Sequence, residues 1–209
     1  MKKVVIGWGS LIWCPKNLRI KDKNWREDGP KLPIEFAGIS NDGRLTLVIY
    51  DEYLDQKDRW VQTLWTEMDV DLIEEAIENL RRREKTSEEL IGYIYRVKKE
   101  FTMRDGLKII TYEEKNRGRL VEVLNEIRDW MIKKKFDVVI WTDLPSNFEE
   151  KTKNEVTENS VIRYLEKETK DCEREKAEEY VRNTPPQVQT RIRKVIEEKL
   201  EWTYEGNYR

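Results

Sequence analysis

IEFAGISNDGRLTLVIY, residues 34–50, is the stretch on which the fold class turns. Two runs rich in β-formers flank Asn41-Asp42-Gly43, and a tight turn at Asp42-Gly43 predicts an antiparallel hairpin over 34–41 and 44–50. Its alternation makes sense only with one face on a core that includes Phe36, Leu45 and Leu47. Downstream, Trp60 to Met68 (WVQTLWTEM) reads as a further strand. A helix follows from Asp69 to about Arg83, with Asp69 or Asp71 as N-cap and Glu74 and Glu75 in its first turns. Ile73, Ala76, Ile77 and Leu80 fall three and four apart, as one buried face requires. The next position on that face is Glu84. A carboxylate therefore stands where the pattern calls for a hydrophobe, at the negative end of the helix dipole.

Beyond the helix, Ile91 to Val97 and Leu107 to Thr111 read as strands. Arg119 to Lys134 reads as an amphipathic helix through Leu120, Leu124, Ile127 and Met131. Phe136 to Trp141 (FDVVIW) reads as a short buried strand. Three helical stretches close the chain, Asn159–Glu168, Asp171–Arg182 and Gln187–Trp202, the last two separated by Pro185-Pro186. The whole predicts an α+β body over residues 1–140 and a helical C-terminal extension over 141–209 packed on it. Residues 16–33, polar and broken by Gly29-Pro30 and Pro33, read as a long excursion.

Upstream of that excursion lies VVIGWGSLIWCP, residues 4–15. The apolar run predicts a strand covered on both faces. It stops at Gly7-Trp8-Gly9-Ser10, where a mere turn would use Asn-Gly or Asp-Gly. Gly-x-Gly-Ser instead makes backbone that a ligand can approach, with N–H groups pointing outward.

Composition narrows the chemistry. The 209 residues carry 40 Lys and Arg against 42 Asp and Glu, a formal net charge of −2, so no net basic surface argues for nucleic acid. Histidine is absent, which removes Ser-His-Asp and Cys-His catalysis and zinc sites that use His. Cys14 and Cys172 are too few for a metal cluster, and Cys14 has no identifiable activating neighbour. With no signal peptide and no apolar stretch of roughly 18 residues, a cytoplasmic protein without a membrane partner is expected. GWGSL lacks the second glycine of a nucleophile elbow, and Ile12 stands where a dinucleotide loop would have its third glycine.

Gly7-Trp8-Gly9-Ser10-Leu11-Ile12-Trp13-x-Pro15 resembles the N-terminal signature of the γ-glutamylcyclotransferase-like superfamily, above all the glutathione-degrading cyclotransferases, which carry Tyr-Gly-Ser-Leu and then Trp-x-Pro. Strand, helix and then Arg83-Glu84-Lys85 follow in the same order, and the resemblance spans roughly residues 3–100. It implies a small mixed β-barrel with flanking helices, needing neither metal nor cofactor. It also implies substrate binding by Trp8, Gly9, Ser10 and Leu11, with the loop amides on the α-carboxylate of a γ-glutamyl group. Glu84 would then be the catalytic residue, taking a proton from the α-amine as that amine attacks the γ-carbonyl and releases 5-oxoproline. One carboxylate with a raised pKa could carry the proton, which accommodates the missing histidines. Trp8 in place of the family tyrosine removes a hydroxyl and leaves an N–H donor on a larger ring.

A second reading stays open. On it the same fold is a non-catalytic small-molecule or protein-binding module, Gly9-Ser10 is a plain turn, and Glu84 is a helix-end residue paired with an arginine such as Arg81.

Overall fold

The computed structural model describes residues 1–102 and 108–206, so Leu107 of the expected strand lies outside the described residues. In chain order the strands are β1 (Lys3–Gly7), β2 (Lys31–Leu32), β3 (Ile34–Ile39), β4 (Leu45–Ile49), β5 (Val61–Gln62), β6 (Leu64–Glu67), β7 (Ile91–Thr102), β8 (Lys108–Arg117) and β9 (Val138–Thr142). Five of them form one sheet in the order β6-β1-β9-β7-β8. β1 and β9 run parallel at its centre, and the remaining pairs are antiparallel. Both central strands are buried at every position, as near-continuous apolar runs require.

The hairpin forms as read. β3 and β4 pair antiparallel with Phe36 opposite Leu47, and Phe36, Leu45 and Leu47 are all buried. Gly43 N–H donates to the Ser40 carbonyl at 3.1 Å, and Gly43 takes φ +77°, a conformation that glycine adopts at little cost. β3 differs from expectation in being buried on both faces, Glu35 included.

The strands do not close a barrel by backbone ladders among the described residues. They form three ladders joined end to end, because two strands are broken partway along. Pro33, with no N–H to give, separates β2, which pairs with β5, from β3, which pairs with β4. Thr63 separates β5 from β6, and both its N–H and its hydroxyl go to the Pro30 carbonyl. The excursion before β2 runs antiparallel beside β6, with isolated bridges Ile20 to Met68 and Arg26 to Trp65. The result is three open ladders.

The helices are α1 (Ile73–Glu84), α2 (Val121–Lys134), α3 (Phe148–Thr152), α4 (Glu158–Arg163), α5 (Asp171–Asn183) and α6 (Arg191–Leu200), with a π-helical turn over Tyr164–Glu168. α1 starts later than expected and is preceded by Leu72, which provides no side-chain cap. The Asp71 amide instead donates to Glu75 Oε2 within the first turn. α3 was not foreseen. α6 also starts late: buried Arg193 donates to the carbonyls of Thr184, Pro185 and Val188 and holds the double-proline segment outside the helix. α5 packs on β4 and α6 on β3, so that Ala177, Val181, Ile192 and Ile196 join the same core as Val5 and Ile140. No described helix is long and apolar enough to cross a membrane.

Candidate functional site

β1 and β9 bring their carboxyl ends side by side, a place where ligands gather in sheets with parallel strands. β1 leads into Trp8–Trp13, β9 ends at Thr142, and α1 packs against β9 and β7. After Gly7 the chain makes a single tight turn, in which Ile12 N–H donates to the Gly9 carbonyl and Cys14 N–H to the Ser10 carbonyl, both at 3.0 Å. The Gly9, Ser10 and Leu11 amides donate to no backbone carbonyl among the described residues. Three successive amides without acceptors leave donors that an anion can take up.

The buried face of α1 delivers the charged groups. Ala76, Ile77 and Leu80 lie against the core, and the positions three and four beyond Leu80 are Arg83 and Glu84. Arg81 and Arg82 turn outward and both bond Glu78, so the expected Arg81 pairing with Glu84 does not occur. Arg83 is the partner: its Nη1 donates to Glu84 Oε1 at 3.0 Å. Its Nη2 donates to Ser10 Oγ at 3.1 Å and to the Cys14 carbonyl at 2.8 Å. One guanidinium thus ties Glu84 to the Gly9–Leu11 turn across 73 residues of chain.

Burial raises the Glu84 pKa above the usual glutamate value, against the opposing pull of Arg83, of Lys16 and of the Thr142 hydroxyl. The Glu84 side chain keeps 16% of its exposure, whereas that of Arg83 keeps 6%. Among the described residues, Arg83 Nε is buried without a partner, and Thr142 Oγ1 makes no hydrogen bond of ordinary geometry. The arrangement can therefore do two things. Its amides can hold an anion, and a carboxyl of elevated pKa beside them can accept and return a proton.

Of the expected site residues, Gly9, Ser10, Leu11 and Glu84 come together. Trp8 does not present its N–H to a ligand: the ring is buried and Nε1 faces the Leu47 carbonyl at 3.4 Å. Leu11 likewise sends its side chain into the core, so its amide is the group it offers. Sequence reasoning missed Thr142, one residue past the apolar run of β9. It also missed Tyr180, whose spacing with Ala177 and Val181 signals only a core face. Two surface depressions of about 500 Å³ lie elsewhere, one beside Glu178, Arg182 and Glu205, the other beside Asn154, Ser160 and Arg163. No group of three or more Cys, Asp or Glu among the described residues is placed to hold a metal ion.

Comparisons with protein-family models, curated proteins and solved structures find no match to this chain.

Proposed function

We propose that this chain is a γ-glutamylcyclotransferase-like enzyme that releases 5-oxoproline from a soluble γ-glutamyl peptide or amine. The observation that carries the reading is the shared guanidinium: Arg83 joins the carboxyl of Glu84 to the hydroxyl of Ser10, beside the open amides of Gly9–Leu11. The amides take the α-carboxylate of the substrate. Glu84 takes a proton from the α-amine while the amine nitrogen forms a bond to the γ-carbonyl carbon. The bond from that carbon to the departing amine then breaks, the lactam ring closes, and the proton passes from Glu84 to the leaving nitrogen. No metal, redox partner or cofactor enters this balance. On this reading the three ladders are a barrel of the γ-glutamylcyclotransferase type left open, and the protein works in the cytoplasm without nucleic acid or membrane.

The Arg83–Glu84 ion pair also favours a second reading, in which the pair is structural and the turn binds a ligand without turning it over. Incubation of the protein with a panel of γ-glutamyl peptides and amines, glutathione among them, separates the two. Release of 5-oxoproline in step with free amine is expected. Binding of panel members with no release overturns the enzyme reading.

A further inference from the structure

The C-terminal helices reach the same turn. Tyr180 projects from the buried face of α5 between Ala177 and Val181 and is 6% exposed. Its ring is held edge-on by Trp13 at 5.1 Å, flanked by Phe36 at 6.2 Å, and covered by the Arg44 guanidinium 5.3 Å from its centroid. These contacts aim the phenol oxygen at Gly9, where an added Cβ would stand 2.1 Å from it. Residue 9 must lack a side chain because this hydroxyl occupies the space.

The Leu47 amide stands beside the phenol oxygen. The neighbourhood is short of acceptors in general. Arg44 Nε and Arg83 Nε are both buried without a partner among the described residues, Arg44 over the Tyr180 ring and Arg83 bonded to Ser10 Oγ. Arg44 and Arg83 act on the phenol as cations and Glu84 as an opposing anion. So many donors around one turn call for a ligand with several anionic oxygens.

We propose that Tyr180 is a substrate-binding residue whose hydroxyl donates to the carboxylate held by the Gly9–Leu11 amides, so that α5 completes a site begun by β1 and α1. The assignment rests on the reading of that turn as a carboxylate site. Burial lifts the phenol to about 12, so it keeps its proton and acts as a donor throughout the neutral range.

L-glutamate carries the same α-carboxylate and α-amine as a γ-glutamyl group and serves as the probe. It is titrated into the full-length parent and Tyr180→Phe, followed by calorimetry and tryptophan fluorescence. Loss of one hydrogen bond to a charged group should raise Kd by about tenfold or more. In turnover, KM for a γ-glutamyl peptide rises by a like factor while kcat stays within about threefold, since the bond is made in ground and transition states alike. Phenylalanine keeps the ring contacts. Should that variant fail to fold, 3,5-difluorotyrosine at position 180, a stronger donor of nearly the same shape, should bind L-glutamate more tightly than the parent. Unchanged Kd and KM in Tyr180→Phe, or unchanged Kd with the fluorinated residue, overturn the Tyr180 assignment alone. A parent that neither binds L-glutamate nor releases 5-oxoproline overturns the carboxylate reading of the turn, and the assignment with it.

Discussion

Glu35 and Glu84 are both carboxylic acids that burial pushes above the ordinary range, yet the fold treats them in opposite ways. Glu35 on β3 has no exposed surface. Its Oε1 accepts from the Phe36 amide at 2.8 Å, and its Oε2 accepts from Tyr53 Oη and the Ile192 amide, each at 3.2 Å. The Thr190 hydroxyl lies beside it and also favours the carboxylate. These donors come from the hairpin, from the segment after it and from the start of α6, so Glu35 pins the C-terminal helix to the sheet. Glu84 keeps part of its surface, and its guanidinium partner is the residue next to it, itself shared with the turn. An elevated pKa does not by itself mark a site. A carboxyl saturated by the fold's own donors has no capacity left for a ligand, whereas one left partly open among unpaired donors does.

The comparison breaks first at Glu35. Glu35→Ala strands the Phe36 and Ile192 amides and the Tyr53 hydroxyl in the core and opens a cavity. A loss of about 3–5 kcal/mol in unfolding free energy is expected. Denaturant unfolding measures it, and a variant within about 1 kcal/mol of the parent would mean that water or neighbouring groups replace the carboxylate without difficulty.

Glu84→Gln should do the reverse. The amide oxygen still accepts from Arg83 Nη1, so stability should stay within about 1 kcal/mol of the parent, while 5-oxoproline release falls at least about a hundredfold, the lower range for a general base. A clearly destabilised variant that remains active would put Glu84 with Glu35 as a structural group and sink the mechanism.

The two acids were unequally legible in the sequence. Glu84 interrupts a helical apolar pattern, and that local irregularity shows without knowledge of the fold. Glu35 sits in a strand where alternation assigns it to the solvent side. The packing of Tyr53 and of α6 over β3, the latter a contact spanning 157 residues, covers it. The same limit explains the rest. The hairpin, the helix carrying Glu84 and the free amides after β1 depend on neighbours in the chain, so spacing and turn chemistry suffice to read them. The breaks at Pro33 and Thr63 depend on which strands meet. Tyr180 reaches Gly9 from 171 positions away, and nothing in its local spacing distinguishes it from a core aromatic.

The smallest effect is the one most specific to Glu84, because it follows the proton. Ionised Glu84 is disfavoured in the fold chiefly by burial, with Arg83 opposing. A raised folded-state pKa contributes stability that is fully present below the unfolded value, near 4.5, and is lost as pH rises through the folded one. Glu84→Gln has no such group. Glu35 and Asp143, whose pKa values burial also raises, are common to both proteins and cancel in the difference. Thermal midpoints of parent and Glu84→Gln, compared at matched ionic strength, should therefore show the variant gaining on the parent as pH is raised from about 4.5 toward neutrality, then levelling off. If the variant instead loses ground over that interval, Arg83 outweighs burial and holds Glu84 as a stabilised carboxylate. The proton would then be gone at neutral pH for a different reason: an acid whose anion is favoured by its own neighbour is a weaker base for the substrate amine, and the proton transfer would have to pass to another group near Ser10.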